Sequence, residues 1–89
     1  MTRNAAEMLA IRALQYLAGD EKQLARFLAL TGVAVEDLRD AATSPAFLSG
    51  VLDYLMGEEA TLLSFAAGAG YQPTDIAIAR DTLSRHATD

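Results

Sequence analysis

Glycines divide this chain into segments that each have the length of one short helix. Gly19, Gly32, Gly57 and Gly70 each follow a stretch with apolar residues at helical spacing. Glycine is the preferred residue just beyond a helix end. The long stretch between Gly32 and Gly57 contains Ser44-Pro45, a capping hydroxyl followed by a proline that suits the first helical position. This spacing predicts a bundle of short helices.

The apolar pattern agrees with an all-α fold, because no window alternates with the period of two that a strand requires. Asn4 with Glu7, and Asp20 with Gln23, have the spacing of capping boxes. We expect one domain over 1–89, a compact bundle of five to six short helices. Their expected ranges are Asn4 to about Ala18, Asp20 to near Leu30, Val35–Ala42, Pro45–Met56, Glu58 to about Ala69 and Pro73 to near His86.

Residues 14–38 resemble residues 52–76 at an offset of 38, with ten identities in 25 positions. The shared residues are mostly core positions, helix ends and caps, including two of the three tyrosines and two of the three phenylalanines. A duplicated three-helix unit with pseudo-twofold packing explains the match, and we then expect all four glycines to adopt left-handed conformations. Two helical hairpins that converged on similar start and stop signals are the alternative.

The composition of the chain indicates which kinds of partner and which cellular compartment to expect. The chain carries 12 acidic and 7 basic residues, a net charge of −5, and no cysteine. Such a field repels nucleic acid and anionic lipid, and the lack of cysteine excludes disulfides and thiolate metal sites. The amino-terminal residues lack the apolar stretch of a secretory signal, and no run approaches the roughly 18 apolar residues of a membrane span. We expect a cytoplasmic protein that binds neither nucleic acid nor membrane.

No pattern in the sequence indicates catalysis, a metal or a cofactor. His86 is the sole histidine and has no triad partners in a recognisable arrangement. The pairs Asp20-Glu21 and Glu58-Glu59 would bind a hard cation if they converged, but they also suit helix starts. Gly68-Ala69-Gly70 lacks the strand and Lys-Ser/Thr of a phosphate loop, and suits close helix contact or helix termination. We therefore expect a protein that is not an enzyme.

Residues 60–86 have the spacing of a helix-turn-helix motif, with Ala66, Gly70 and Ile76 at its small, turn and apolar positions. The would-be recognition helix carries Asp75 and Asp81, whereas base edges and phosphates favour basic or amide side chains. A DNA-binding regulator is therefore the alternative function rather than the first.

The first helix is apolar over most of its circumference, so it either lies at the centre of the fold or is covered by a partner. Tyr71 and Ile78 lie off the main apolar stripe of their segment. Our first hypothesis is a small protein-interaction or regulatory module with an unidentified protein partner and an oligomeric state that is left open. Its candidate surface consists of Met8, Ile11, Tyr71 and Ile78.

Three segments resemble a bacterial family of short helical proteins known only as a domain of unknown function. These segments are Leu17–Asp20, Phe27–Gly32 and Asp53–Glu59, and the resemblance extends over nearly the whole chain. The motifs are structural in character. The resemblance implies a compact helical domain and carries over no activity, cofactor or catalytic residue.

Overall fold

Six α-helices and one 3-10 turn form residues 1–87, the part of the chain that the computed structural model describes. No strand occurs within that range, which confirms the all-α prediction. The elements are α1 (Arg3–Ala18), α2 (Glu21–Thr31), the 3-10 turn (Val35–Asp37), α3 (Leu38–Ala41), α4 (Pro45–Met56), α5 (Glu59–Ala69) and α6 (Pro73–Ala87).

The start of α1 differs from the prediction. Thr2, rather than Asn4, is the capping residue, and its Oγ1 accepts a hydrogen bond from the Ala5 amide at 3.1 Å. Its backbone is extended, as a cap requires, so the helix begins before Asn4 is reached. Glu7 does not return to a cap, because its carboxylate pairs with Arg3 at 2.7 Å.

The caps of α2 and α4 follow the sequence more closely. Asp20 accepts hydrogen bonds from the amides of Lys22 and Gln23 at 3.1 and 3.3 Å. Ser44 accepts one from the Phe47 amide at 3.4 Å. The expected return bond from the Gln23 side chain to Asp20 is wrong, since that side chain bonds across the molecule to the second half of the chain.

The four helix-ending glycines form two kinds of turn. Gly32 and Gly70 have φ of 73° and 78°, the left-handed conformation that was predicted. For Gly19 and Gly57 that prediction is wrong, because their φ values are −78° and −86°. At these two positions the amide points back to three preceding carbonyls and the next helix begins within two residues. A right-handed turn is sufficient there because the chain passes directly into the next cap.

The centre of the bundle is α1, which contacts α2, α4, α5 and α6. This central position explains why so much of the circumference of α1 is apolar. Of the two possibilities raised by the sequence, a central helix and a helix covered by a partner, the fold shows the first. The most extensive contact between two helices is that of α4 with α6. The buried residues of α1 are Ala6, Leu9, Ala10, Ala13, Leu14 and Leu17.

Aromatic contacts cross between the two similar stretches. Tyr16 packs on Phe65 with ring centroids 5.7 Å apart, and Tyr54 packs on Phe27 at 5.5 Å. Each tyrosine thus contacts the phenylalanine of the other stretch. The two stretches differ in their third elements, which are the 3-10 turn with α3 in the first stretch and α6 in the second. The 3-10 turn and α3 bury no residue, whereas α6 has 15 residues and buries four. The duplication stays a prediction.

Candidate functional site

Two adjoining hollows lie along the outer side of α1, and both have Gln15 and Tyr16 in their walls. We refer to them together as the Tyr16 cleft. The polar hollow, of about 410 Å³, is lined by Gln15, Tyr16, Leu17, Gly19, Asp20, Gln23 and Thr61. The aromatic hollow, of about 380 Å³, is lined by Arg12, Gln15, Tyr16, Phe65, Gly68 and Ala69.

Helical spacing places Arg12 and Tyr16 together. They are four residues apart, so their side chains lie on one face of α1, beside the stripe that enters the core. The Tyr16 ring leans on Phe65 of α5, which is only 2% exposed and forms the floor of the aromatic hollow. Tyr16 itself is 40% exposed. An aromatic ring with this exposure has one side available to a ligand.

The matched tyrosine, Tyr54, is differently placed. Tyr54 is half-buried, and its hydroxyl donates a hydrogen bond to Gln23 Oε1 at 2.6 Å. Phe47 packs edge-on against the same phenylalanine, Phe27, that Tyr54 contacts. The Tyr16 hydroxyl has no hydrogen-bond partner among residues 1–87. Of the two equivalent positions, Tyr16 is therefore the one that keeps its ring face and hydroxyl available for binding.

The polar hollow is held together by its own side chains. Gln23 Nε2 donates to Thr61 Oγ1 at 3.1 Å while Gln23 Oε1 accepts the Tyr54 hydroxyl proton. Asp20 is engaged as the cap of α2. Because these groups already satisfy one another, they stabilise the contact between α2, α4 and α5.

Arg12 supplies the aromatic hollow with a positioned charge. Its Nη1 donates to the Tyr71 hydroxyl at 3.0 Å, and its guanidinium carbon lies 6.0 Å from the centroid of the same ring. Tyr71 in turn packs on Phe65 at 6.0 Å. Within residues 1–87 Arg12 forms no ion pair, unlike Arg3, Arg26 and Arg80. The result is a guanidinium group held at the edge of an apolar floor.

Gly68 keeps the other side of this hollow open. A Cβ at this position would meet no atom within 4 Å, so the packing of residues 1–87 does not require glycine there. Of the two roles expected for Gly68-Ala69-Gly70, helix termination is confirmed, because Gly70 ends α5, and close helix contact does not account for the glycine at position 68. A glycine inside a helix costs about 1 kcal/mol relative to alanine. What the missing side chain provides is open space beside Phe65 and Ala69.

The four residues predicted as an interaction surface do not line one hollow. Met8 and Ile78 are 51% and 46% exposed, while Ile11 and Tyr71 are half-buried and pack against the core. Ile11 borders a third hollow, of about 450 Å³, between α1 and α3. Only Tyr71 is connected to the Tyr16 cleft, through Arg12 and Phe65. The surface as a whole stays a prediction.

The acidic pairs of the sequence do not assemble into a cation site. Glu58 pairs with Arg26 at 2.7 Å, Asp20 caps α2, and no three His, Asp or Glu side chains cluster within residues 1–87.

Asp53 and Asp81 both contact Arg80, at 3.1 and 3.0 Å, and these hydrogen bonds raise the pKa of its guanidinium. Arg80 therefore stays protonated and ties α6 to α4.

Arg12, Gln15, Tyr16 and Gly68 were not predicted as site residues. The spacing within α1 did not mark Tyr16 as exposed, because Tyr16 follows the buried Leu9 by seven residues and the buried Ala13 by three, and so lies next to them on the helix. The placement of Tyr71 beside Arg12, 59 residues away in sequence, also gives no local signal.

The fold and cleft described above define a small helical bundle with an aromatic hollow and one positioned cation. The chain belongs to the family described as Protein of unknown function (DUF3572), whose match covers residues 3–86. Neither the curated proteins nor the solved structures contain a match to this chain. None of the helices in residues 1–87 is both long and apolar enough to cross a membrane.

Proposed function

We propose that this protein is a non-enzymatic interaction module that binds another protein through the Tyr16 cleft. The observation that carries the proposal is the pairing of a 40% exposed Tyr16, whose hydroxyl is unused within residues 1–87, with an Arg12 that has no acidic partner there. Tyrosine and arginine are the residues that most often dominate binding energy at protein interfaces.

The chemistry of the aromatic hollow also suits binding better than bond making. Its groups are a guanidinium, a primary amide on Gln15, a phenol and the Phe65 floor. In proteins a guanidinium group serves as a hydrogen-bond donor rather than as a general acid or base, and a primary amide is neither a useful base nor a useful nucleophile. These groups recognise shape, charge and hydrogen-bonding partners.

A photo-reactive phenylalanine analogue placed at position 16 tests the proposal. In native lysate we expect irradiation to yield a discrete protein adduct from position 16. The matched control is the same analogue at Leu63, which is 47% exposed and lines neither hollow of the cleft. Adducts that form equally from both positions, or from neither, would contradict the proposal.

The DNA-binding alternative rests on a different observation. Ala66 and Ile76 are buried and Gly70 is left-handed, which is the arrangement that a helix-turn-helix needs around its turn. Against this alternative, Asp75 and Asp81 lie on the helix that would read the groove, and Arg80 is engaged with carboxylates. We therefore place it second.

A further inference from the structure

We propose that the aromatic hollow takes the carboxyl-terminal end of a partner chain whose last residue is apolar. The terminal carboxylate pairs with Arg12, and the last side chain lies on Phe65 beside Gly68. This inference rests on the proposed function, because it names the chemistry of the partner at the same cleft.

The carboxylate is inferred from the state of Arg12. One of its nitrogens donates to the Tyr71 hydroxyl, and the ring of Tyr71 restricts where the guanidinium can lie. The remaining N–H donors form no bond within residues 1–87. An arginine held in this way pairs with a carboxylate through two parallel hydrogen bonds and loses little side-chain freedom on binding.

The apolar side chain is inferred from the floor and walls of the hollow. Phe65 and Ala69 offer carbon surface, the Tyr16 ring stands at one side, and Gly68 leaves the other side open. The equivalent position in the first stretch is Leu30, which is 75% exposed. A leucine-sized side chain in place of Gly68 would extend over the space that we assign to the ligand.

A chain end fits better than an acidic segment. Arg12 is the sole cation in the lining, and the chain as a whole has a net charge of −5, so a ligand with several carboxylates would be repelled. A terminal residue carries one carboxylate and one apolar side chain on the same Cα atom, which suits a hollow that has both features side by side. Gln15 remains available to bond the preceding peptide group.

Titration of the isotopically labelled protein with acetyl-leucine, followed by the amide resonances of Gly68 and Ala69, tests this inference. We expect saturable shifts with a Kd on the order of 1 mM, typical of so small a ligand. The matched ligand is acetyl-leucine amide, which lacks only the charge and should bind at least about tenfold more weakly. Equal binding of the two ligands, or shifts confined to other residues, would overturn the carboxylate assignment.

Two exposed positions provide the variants. Arg12→Gln should weaken acetyl-leucine binding by about tenfold or more, whereas Arg39→Gln, which removes another exposed arginine outside the cleft, should not. Gly68→Leu should abolish the shifts and Gly68→Ala should preserve most of the binding. Circular dichroism establishes that each variant is folded. Unchanged binding to Arg12→Gln or Gly68→Leu counts against the inference.

A longer ligand separates a chain end from a free small molecule. An acetylated tetrapeptide ending in leucine should bind more tightly than acetyl-leucine, because it adds backbone groups beyond the one peptide group that acetyl-leucine already offers to Gln15. Equal or weaker binding of the tetrapeptide would mean that the hollow takes a free small carboxylate, and the chain-end inference would be wrong. If no carboxylate binds while position 16 still yields its adduct, the proposed function stands and only this inference fails.

Discussion

Gly19 and Gly57 end their helices with the same pattern of hydrogen bonds, and Gly32 and Gly70 end the following helices in the same left-handed conformation. The stretches 14–38 and 52–76 therefore agree closely in their local structure. They differ in what surrounds their tyrosines, since Tyr54 is bonded and half-buried while Tyr16 is exposed. Similar sequences here specify similar helix ends, and the candidate site lies where the surroundings of the matched residues diverge.

The third elements diverge further. Ile76 of α6 is fully buried between neighbouring helices, whereas its counterpart Leu38 is only half-buried in a helix of four residues. The first stretch thus closes its side of the bundle incompletely, and a hollow remains between α1 and α3. We therefore expect the second stretch to contribute more of the stability of the core.

Removal of either matched phenylalanine should be the most damaging change. Phe27→Ala and Phe65→Ala should each lower the free energy of unfolding by about 3–5 kcal/mol, because both rings are buried and each contacts two other aromatic rings. Urea unfolding followed by circular dichroism measures the loss, and leucine variants at the same positions serve if the alanine variants do not fold. A cost under about 1 kcal/mol at either position would break the equivalence.

The third elements should respond unequally. Ile76→Ala should cost about 2–5 kcal/mol, the usual range for a fully buried aliphatic residue. Leu38→Ala should cost about 1 kcal/mol, because its side chain retains contact with water and leaves no closed cavity. Equal losses in the same urea experiment would show that α3 is as firmly packed as α6, contrary to the comparison.

The four glycines should separate into two pairs. Gly32→Ala and Gly70→Ala should each destabilise by roughly 1–2 kcal/mol, because alanine resists a left-handed backbone. Gly19→Ala and Gly57→Ala should be neutral or stabilise by up to about 1 kcal/mol, since their φ values suit any residue and their Cβ atoms would make ordinary contacts. Thermal unfolding measures all four changes. A loss of stability for Gly19→Ala as large as that for Gly32→Ala would contradict the assignment of these two glycines to different kinds of turn.

The protein should not bind duplex DNA with sequence specificity. The helix that would read a groove, α6, carries Asp75 and Asp81, and the chain has a net charge of −5, so sequence-specific binding at physiological salt is not expected. Fluorescence anisotropy with a randomised duplex pool, followed by selection, measures this. Sub-micromolar binding that discriminates sequence would favour the helix-turn-helix alternative at residues 60–86.

Local signals predicted most of the fold because helix ends depend on a few neighbouring residues. Ser44-Pro45 and Asp20 acted as expected, and five of the six helices begin and end within a residue or two of their predicted bounds. The prediction of Asn4 as the cap was wrong because Thr2, another residue that can cap a helix, lies upstream. Whether Gly19 is left- or right-handed depends on where the chain goes next, which a single residue type does not encode.

The site was less predictable because its parts meet only in the tertiary structure. Tyr71 reaches Arg12, and Phe65 reaches Tyr16, across most of the length of the chain. Nothing local distinguishes the exposed Tyr16 from the half-buried Tyr54, since both stand in the same sequence pattern. Gly68 appeared as part of a helix-ending cluster, and only the empty space around it in the fold reveals its other effect.

Each tyrosine of the two stretches contacts the phenylalanine of the other stretch, and this also constrains how the chain folds as it is synthesised. Phe27 leaves the ribosome with α2, yet the two rings that cover it, Phe47 and Tyr54, belong to α4. Tyr16 likewise cannot make its contact with Phe65 until α5 has been synthesised. An amino-terminal fragment therefore exposes an aromatic side chain that it has no means to bury, and we expect the nascent chain to acquire stable structure late, in one cooperative step.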